Sequence, residues 1–226
     1  MCIRDSIMPA YNEEMMIAHT VASALDQDYS NLEVVVVNDG SKDNTVGILL
    51  DTFDMAEVPQ EASPPPIETK HVRGVYRSKK DPRFVLVDKD PSGAKADGSN
   101  AGINAARHPW IVVMDADEFM ENDVISRCMA EVVNAPDHVV AVGTSLLPAN
   151  DIVIDGTTIV DREVSTNYWV GCQLIEYLTA FLVARPGLAH LSALPIVSGG
   201  FGLFKREAVL EIGGYKHGHL LSLIHI

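Results

Sequence analysis

The chain has 226 residues, 47% of them hydrophobic, and a formal net charge of −14. That is enough apolar material for one large domain with a sizeable core, which excludes a chain disordered throughout. The acidic balance excludes general nucleic-acid binding, because a polyanion is repelled, so an anionic small substrate would need a cation or focused donors to be held.

Of three cysteines, Cys128 and Cys172 have no metal-ligand spacing and read as reduced thiols. There is no signal peptide, and no stretch reaches the roughly 18 uncharged apolar residues of a membrane span. The first six residues, Met1 to Ser6, and the last six, Leu221 to Ile226, resemble translations of a sequencing adapter and of its reverse complement. They are set apart from the fold, and the genuine domain is expected over 7–220 as an internal piece of a longer protein.

Ile7-Met8 ends a first strand at Pro9-Ala10-Tyr11-Asn12, and a helix is predicted from Glu13 to Leu25 with Asn12 as its N-cap. Leu32 to Val37 is a β-branched run of strand length that breaks at Asn38-Asp39-Gly40-Ser41. Asn44 or Thr45 then opens a helix toward Phe53. From Met55 to Arg83 the chain is Pro-rich, then acidic, then basic (Lys70, His71, Arg73, Arg77, Lys79, Lys80), and reads as an extended surface excursion. Its basic end is either solvated or placed to touch a phosphate.

Phe84 to Val87 is a third strand, Ala96 to Arg107 a helix, and Trp110 to Met114 a fully apolar strand. A helix capped by Asn122 or Asp123 runs to Val133, followed by a strand at Val139 to Val142. Strands alternate with helices and the unusual residues fall at strand C-termini, which is the pattern of a doubly wound α/β domain with ligands at the carboxyl ends of parallel strands. Asp151 to Val160 reads as a hairpin turning at Asp155-Gly156. Tyr168 to Ala184 is helical with few charges, either a core helix or one lying at a membrane surface. Ser198 to Phe204 is a glycine-rich turn entering a strand, and Arg206 to Ile212 is a short helix closed by Gly213-Gly214-Tyr215.

The apolar run at Trp110 delivers Asp115-Ala116-Asp117 to the sheet edge. If the extended geometry persists, both carboxylates leave the same side about 6–7 Å apart. Such a pair suits a hard divalent cation that in turn grips a diphosphate. The other reading is a loop with a helix-capping aspartate, in which Asp115, Asp117 and Glu118 would crowd like charges. Asp39-Gly40-Ser41 on its own reads equally as a helix-leading turn with an Asx bond. Lys95 beside a helix start is either a solvated lysine or a point charge for a diphosphate, and Ser198-Gly199-Gly200 either a plain turn or a place where backbone admits a flat sugar.

Five segments in order carry a resemblance: Pro9 to Glu14, Val36 to Asp43, Lys95-Ala96-Asp97 with Asn100-Ala101-Gly102, Met114 to Asp117, and Ser198 to Phe204 with Gly213-Gly214-Tyr215. Together they resemble the catalytic domain of a family 2 glycosyltransferase with the GT-A fold, nearest the membrane-bound bacterial branch that includes poly-N-acetylglucosamine synthases. The resemblance implies an α/β, Rossmann-like domain with a mostly parallel sheet and flanking helices. It implies that Pro9, Ala10, Tyr11 and Glu13 line a uridine pocket, that Asp39 accepts from the uracil N–H, and that Lys95 and Asp115 lie in the donor pocket. Asp117, supported by Asp115, would bind Mg²⁺ or Mn²⁺, and Ser198, Gly199 and Gly200 would flank the acceptor.

The implied reaction is inverting transfer of a hexose or N-acetylhexosamine from a UDP-sugar to a glycan or glycolipid hydroxyl. In the full-length protein it would take place at the cytoplasmic face of the bacterial inner membrane. The chain departs from the family pattern after Gly-Gly-Tyr. There the family places its base, an aspartate of a Glu-Asp pair, whereas this chain reads His217-Gly218-His219-Leu220. The base is therefore expected beyond this segment, and the piece is expected to bind donor with little turnover. The alternatives are a sugar-nucleotidyltransferase-like enzyme, which would release pyrophosphate, and a non-catalytic nucleotide-binding module.

Overall fold

The computed structural model describes residues 4–29, 31–60, 64–136, 138–150, 152–163, 165–191, 193–194 and 196–216. Its first strand, β1, spans Arg4–Ala10, so it opens inside the segment expected to be foreign. Helix α1 (Ile17–Leu25) follows, then β2 (Leu32–Asn38), α2 (Thr45–Phe53), β3 (Met55–Val58), β4 (Val72–Ser78), β5 (Phe84–Lys89), α3 (Lys95–Ala105), β6 (Trp110–Met114), α4 (Val124–Asn134) and β7 (Ala141–Gly143). The remaining elements are β8 (Ile152–Asp155), β9 (Thr158–Arg162), α5 (Tyr168–Leu178), a π-helical segment Thr179–Ala184, α6 (Arg185–His190), β10 (Phe201–Lys205) and α7 (Arg206–Glu211).

Eight of these strands form one sheet in the order β3-β4-β5-β2-β1-β6-β10-β7. The four central strands, β5-β2-β1-β6, are parallel. The strands outside them pair antiparallel, so the sheet is mixed and not mostly parallel as expected. Part of the difference lies between Met55 and Arg83, where β3 and β4 replace the expected surface excursion. Their patterns, half-buried at β3 and broken by Gly74 in β4, lack the continuous apolar run that marks a central parallel strand. The central strands have that run: Val34 to Val37 are all fully buried, covered on both faces.

Helix α3 sits unusually close to β1 because two of its residues have no side chain. A Cβ at Gly102 would drive into Ile7, and one at Gly98 would reach Pro9 Cβ at 3.0 Å. This close packing carries the first turn of α3, with Lys95, to the carboxyl ends of the strands.

Helix α1 begins four residues later than predicted, at Ile17 with Met16 at its cap. Asn12 does not cap it. That residue has φ +58°, and it bonds across to the next loop, accepting from Lys42 N at 2.8 Å and donating its own N–H to Ser41 Oγ at 3.0 Å. Glu13 N and Glu14 N likewise donate to Thr45 Oγ1 and Asp43 Oδ2, so the loops after β1 and β2 are laced together.

The long apolar helix is not a core element. No residue of α5 is buried, Phe181 alone of the π segment is, and Tyr168, Trp169, Ile175, Leu182, Val183 and Leu191 are exposed. The helix widens to π just ahead of Pro186, which cannot donate to the turn before it. No helix among the described residues is long and apolar enough to cross a membrane. Three of the basic residues after Met55 have acidic partners: Arg73 pairs with Asp88 at 2.7 Å, Arg77 with Glu33 at 2.9 Å, and Lys79 with Asp54 at 3.6 Å. The hairpin β8–β9 forms, with Gly156 at φ +60° in its turn; Asp151 lies outside the described residues.

Candidate active site

Parallel strands release their chains at the same sheet edge, and here four loops converge there: Tyr11 after β1, Asp39 after β2, Asp90 after β5 and Asp115 after β6. Antiparallel β10 adds a fifth from the other direction. Its first residue, Phe201, is opposite Met114, so the glycine-rich turn Ser198 to Gly200 lies against Asp115, whose N–H donates to the Gly200 carbonyl at 2.9 Å. The donor-side and acceptor-side candidates therefore share one mouth.

The strand geometry does not persist through the aspartates. A turn starts at Asp115, with Glu118 N reaching the Asp115 carbonyl at 3.3 Å. The three carboxylates still feel one another's charge, but as a set they do not bring their oxygens within 4.8 Å of one another. Burial pushes Glu118 up to about 8, with the charges of Asp115 and Asp117 adding and Lys95 opposing. Glu13, from the β1 loop, is raised by burial and then by Asp117 and Asp115, which places both aspartates at the same mouth as the β1 loop. Asp115 is itself raised by burial, against the pull of Lys95. Asp117 is exposed and Asp115 half-buried.

Lys95 is not a free surface lysine. Its ammonium pairs with Asp115 Oδ1 and donates to the Gly199 carbonyl at 3.0 Å, joining α3, β6 and the glycine-rich turn. At Gly200 the missing side chain has a purpose, since a Cβ there would collide with the Glu118 carboxylate. Concentrated acid with one compensating ammonium, open to solvent at Asp117, is a donor set that fits a hard divalent cation. A different group, Asp5, Glu33 and His108, also brings ligand atoms within 4.8 Å of one another. It lies at the opposite, amino-terminal ends of the strands, and its carboxylates are engaged. Asp5 accepts from Arg107 N, His108 N and His108 Nδ1, and Glu33 pairs with Arg77. It reads as a structural cluster.

Asp39 is buried, and its carboxylate is held by Lys89 and by Ser92, whose N–H reaches Oδ1 at 3.1 Å and whose Oγ reaches Oδ2 at 2.7 Å. The turn-closing bond expected of it is made by its neighbour, with Ser41 N donating to Asn38 Oδ1 at 3.1 Å. Pro9 and Ala10 are the last two residues of β1, Ala10 O accepting from Asp39 N at 3.0 Å, and Tyr11 stands exposed beside them.

One residue here, Lys89, has no place in the sequence reading, and Asn100 and Tyr215 stand there only within longer matched segments. Lys89 continues the buried face of Val85 and Val87, and a lysine in that phase of a strand signals a partner across from it. Asn100 and Tyr215 hold each other through the main chain. Burial, with the charge of Asp115 adding, holds the Tyr215 phenol well above its ordinary range. Beyond Asp117 and Glu118 a groove of about 740 Å³ opens, lined among others by Leu146, Phe201, Ile159 and Tyr177. His217 and His219 lie outside the described residues.

A family model described as Glycosyl transferase family 2 matches residues 5–213. The chain belongs to this family. Among curated relatives it is similar to the poly-β-1,6-N-acetyl-D-glucosamine synthase of Staphylococcus epidermidis, 24% identical over 207 residues, and to that of Staphylococcus aureus, 23% identical over the same length. Each alignment covers 92% of this chain and 40% of the relative, so the chain spans less than half the length of these family members.

Among solved structures it resembles a mannosyltransferase from Pyrobaculum calidifontis in complex with GDP-Man and Mn²⁺. The TM-score is 0.59 at 22% identity, over 95% of this chain and 48% of that one. It also resembles residues 1–349 of Staphylococcus aureus TarS in complex with UDP-GlcNAc, with a TM-score of 0.56 at 15% identity, over 95% of this chain and 48% of that one. These likenesses establish the family's GT-A fold.

Proposed function

We propose that the chain is the donor-binding domain of an inverting, metal-assisted transferase. It would move a hexose or N-acetylhexosamine from a UDP-sugar to a hydroxyl of a glycan or glycolipid. The observation that carries this reading is the junction of Lys95 with Asp115 and Gly199 beside Asp117 and Glu118, because it sets an ammonium among carboxylates against a glycine-rich turn. Similarity to poly-β-1,6-N-acetyl-D-glucosamine synthases supports an N-acetylated amino sugar as the transferred group.

In this reading Pro9, Ala10, Tyr11 and Glu13 line the nucleoside, and Asp39 accepts from the base imide. Lys95 offers its ammonium to the diphosphate, while Asp117, with Asp115, holds Mg²⁺ or Mn²⁺. A bound cation would supply Lewis-acid stabilisation of the departing nucleoside diphosphate. Ser198 to Gly200 would flank the acceptor, and the groove beyond Glu118 gives a glycan chain room to lie. The exposed apolar face of α5 and α6 supports a position of the whole protein at a membrane surface, which in this reading is the cytoplasmic face of a bacterial inner membrane. The base that takes the acceptor proton is assigned to no described residue.

Calorimetry with UDP, with and without Mn²⁺, tests the reading. Metal-dependent binding is expected, and no binding in either condition would refute it. Full metal-dependent affinity in Asp117→Ala would remove that residue from the cation site.

A further inference from the structure

Burying an ammonium is costly unless it is paired, and Lys89 is fully buried. Val35 faces Val85 and Val37 faces Val87 across β2 and β5, and the same alternation brings Asp39 to Lys89 one step further on. Asp97, in the first turn of α3, closes the arrangement from above, with Lys89 Nζ 2.7 Å from Asp97 Oδ1. The Asp90 carbonyl accepts the ammonium at 2.8 Å. The apolar seam between the sheet and α3 thus ends in a buried bridge whose outer member is Asp39, with 9% of its side chain accessible and none of that of Lys89.

An ionised carboxylate offers about four acceptor positions. At Asp39, Lys89 and Ser92 N occupy Oδ1, and Ser92 Oγ occupies one side of Oδ2. We infer that Lys89 is a positioning residue for donor recognition. By clamping Oδ1 it presents the remaining position on Oδ2 to the N–H of a uracil-like imide, and so sets the preference for UDP over CDP. Cytosine carries an unprotonated acceptor at the corresponding ring nitrogen, which a fixed carboxylate oxygen repels. This inference rests on the base-recognition role proposed for Asp39.

Removing only the ammonium would leave Asp39 and Asp97 facing each other, so Lys89→Met confuses orientation with charge repulsion. The informative variant is Lys89→Met with Asp97→Asn, which relieves the repulsion but not the loss of the clamp. UDP and CDP affinities in Mn²⁺ are measured by calorimetry on the full chain, with thermal melting alongside. The unaltered chain is expected to prefer UDP about tenfold or more, the range of one charged hydrogen bond. The double variant still leaves the Asp39 carboxylate without its ammonium, so it is expected to fold but melt below the unaltered chain, while its preference drops about fivefold or more.

A double variant that melts cooperatively and keeps the preference overturns the role of Lys89 alone. An unaltered chain that does not distinguish UDP from CDP overturns the base-recognition reading beneath it. Should the double variant fail to fold, Lys89→Gln with Asp97→Asn takes its place, a neutral polar side chain one bond shorter than lysine; a drop in preference of about fivefold or more supports the proposal and an unchanged preference overturns it.

Discussion

The side-chain amide of Asn100 holds both main-chain polar groups of Tyr215, donating to its carbonyl at 2.9 Å and accepting from its N–H at 2.8 Å across 115 positions of sequence. Gly213 and Gly214, at φ +77° and +76°, make the turn that allows this, and a Cβ at Gly214 would meet Asn100 Oδ1 at 2.5 Å. Both partners are buried, so Asn100→Ala would strand two main-chain groups. A loss of about 2–3 kcal/mol is expected in urea unfolding, with UDP affinity changing far less than stability.

Lys95 compensates the acidic mouth through Asp115 and would meet the diphosphate when donor binds. In Lys95→Met the carboxylates lose their only close ammonium among the described contacts. Mn²⁺ alone is then expected to bind about fivefold more tightly, the scale of one partly solvated charge pair, while UDP in saturating Mn²⁺ binds about tenfold more weakly. Calorimetry of each ligand separately reads both signs. Equal weakening of both would contradict the assignment.

Glu118 is raised from 4.5 to about 8 by burial and then by Asp115 and Asp117. Between those values the native chain keeps a proton that the unfolded chain has released. Stability is therefore highest below pH 4.5 as far as this group is concerned, and falls as pH rises toward 8, by at most about 1.4 kcal/mol per unit. Glu118→Gln should flatten that slope in metal-free buffer. Urea midpoints at three pH values across the window check it, and an unchanged slope would place the proton elsewhere.

Ser6, in the middle of β1, is fully buried, and its hydroxyl has no partner among the described residues. Ser6→Val removes the orphaned group and suits a central parallel strand, so a gain of about 1 kcal/mol is expected, seen as a raised melting temperature.

Much of the site could be read from residue types alone. Asp115 and Asp117 end an apolar strand, and the Asp39 and Lys95 segments end or follow others, so their convergence follows from parallel strands releasing at one edge. What failed were readings that needed knowledge of neighbours. Asn12 has the chemistry of a cap, but its side chain found Lys42 N in the next loop. β3, at the sheet edge, and β4 beside it were hidden because strands outside the central parallel set carry mixed, half-buried patterns. Tyr168 to Ala184 has the composition of a core helix, and composition does not say whether a sheet face is left for it to cover.

Local chemistry settled the central strands, their breaks and the residues placed at them, because alternation, β-branching and Asp-Gly turns act over a few residues. Partnership was settled only in three dimensions. That Lys95 meets Asp115, that Lys89 bridges Asp39 and Asp97, and that Gly200 makes room for Glu118 depend on sheet order and on how closely α3 lies on β1. Those contacts join residues far apart along the chain, where no local propensity reaches.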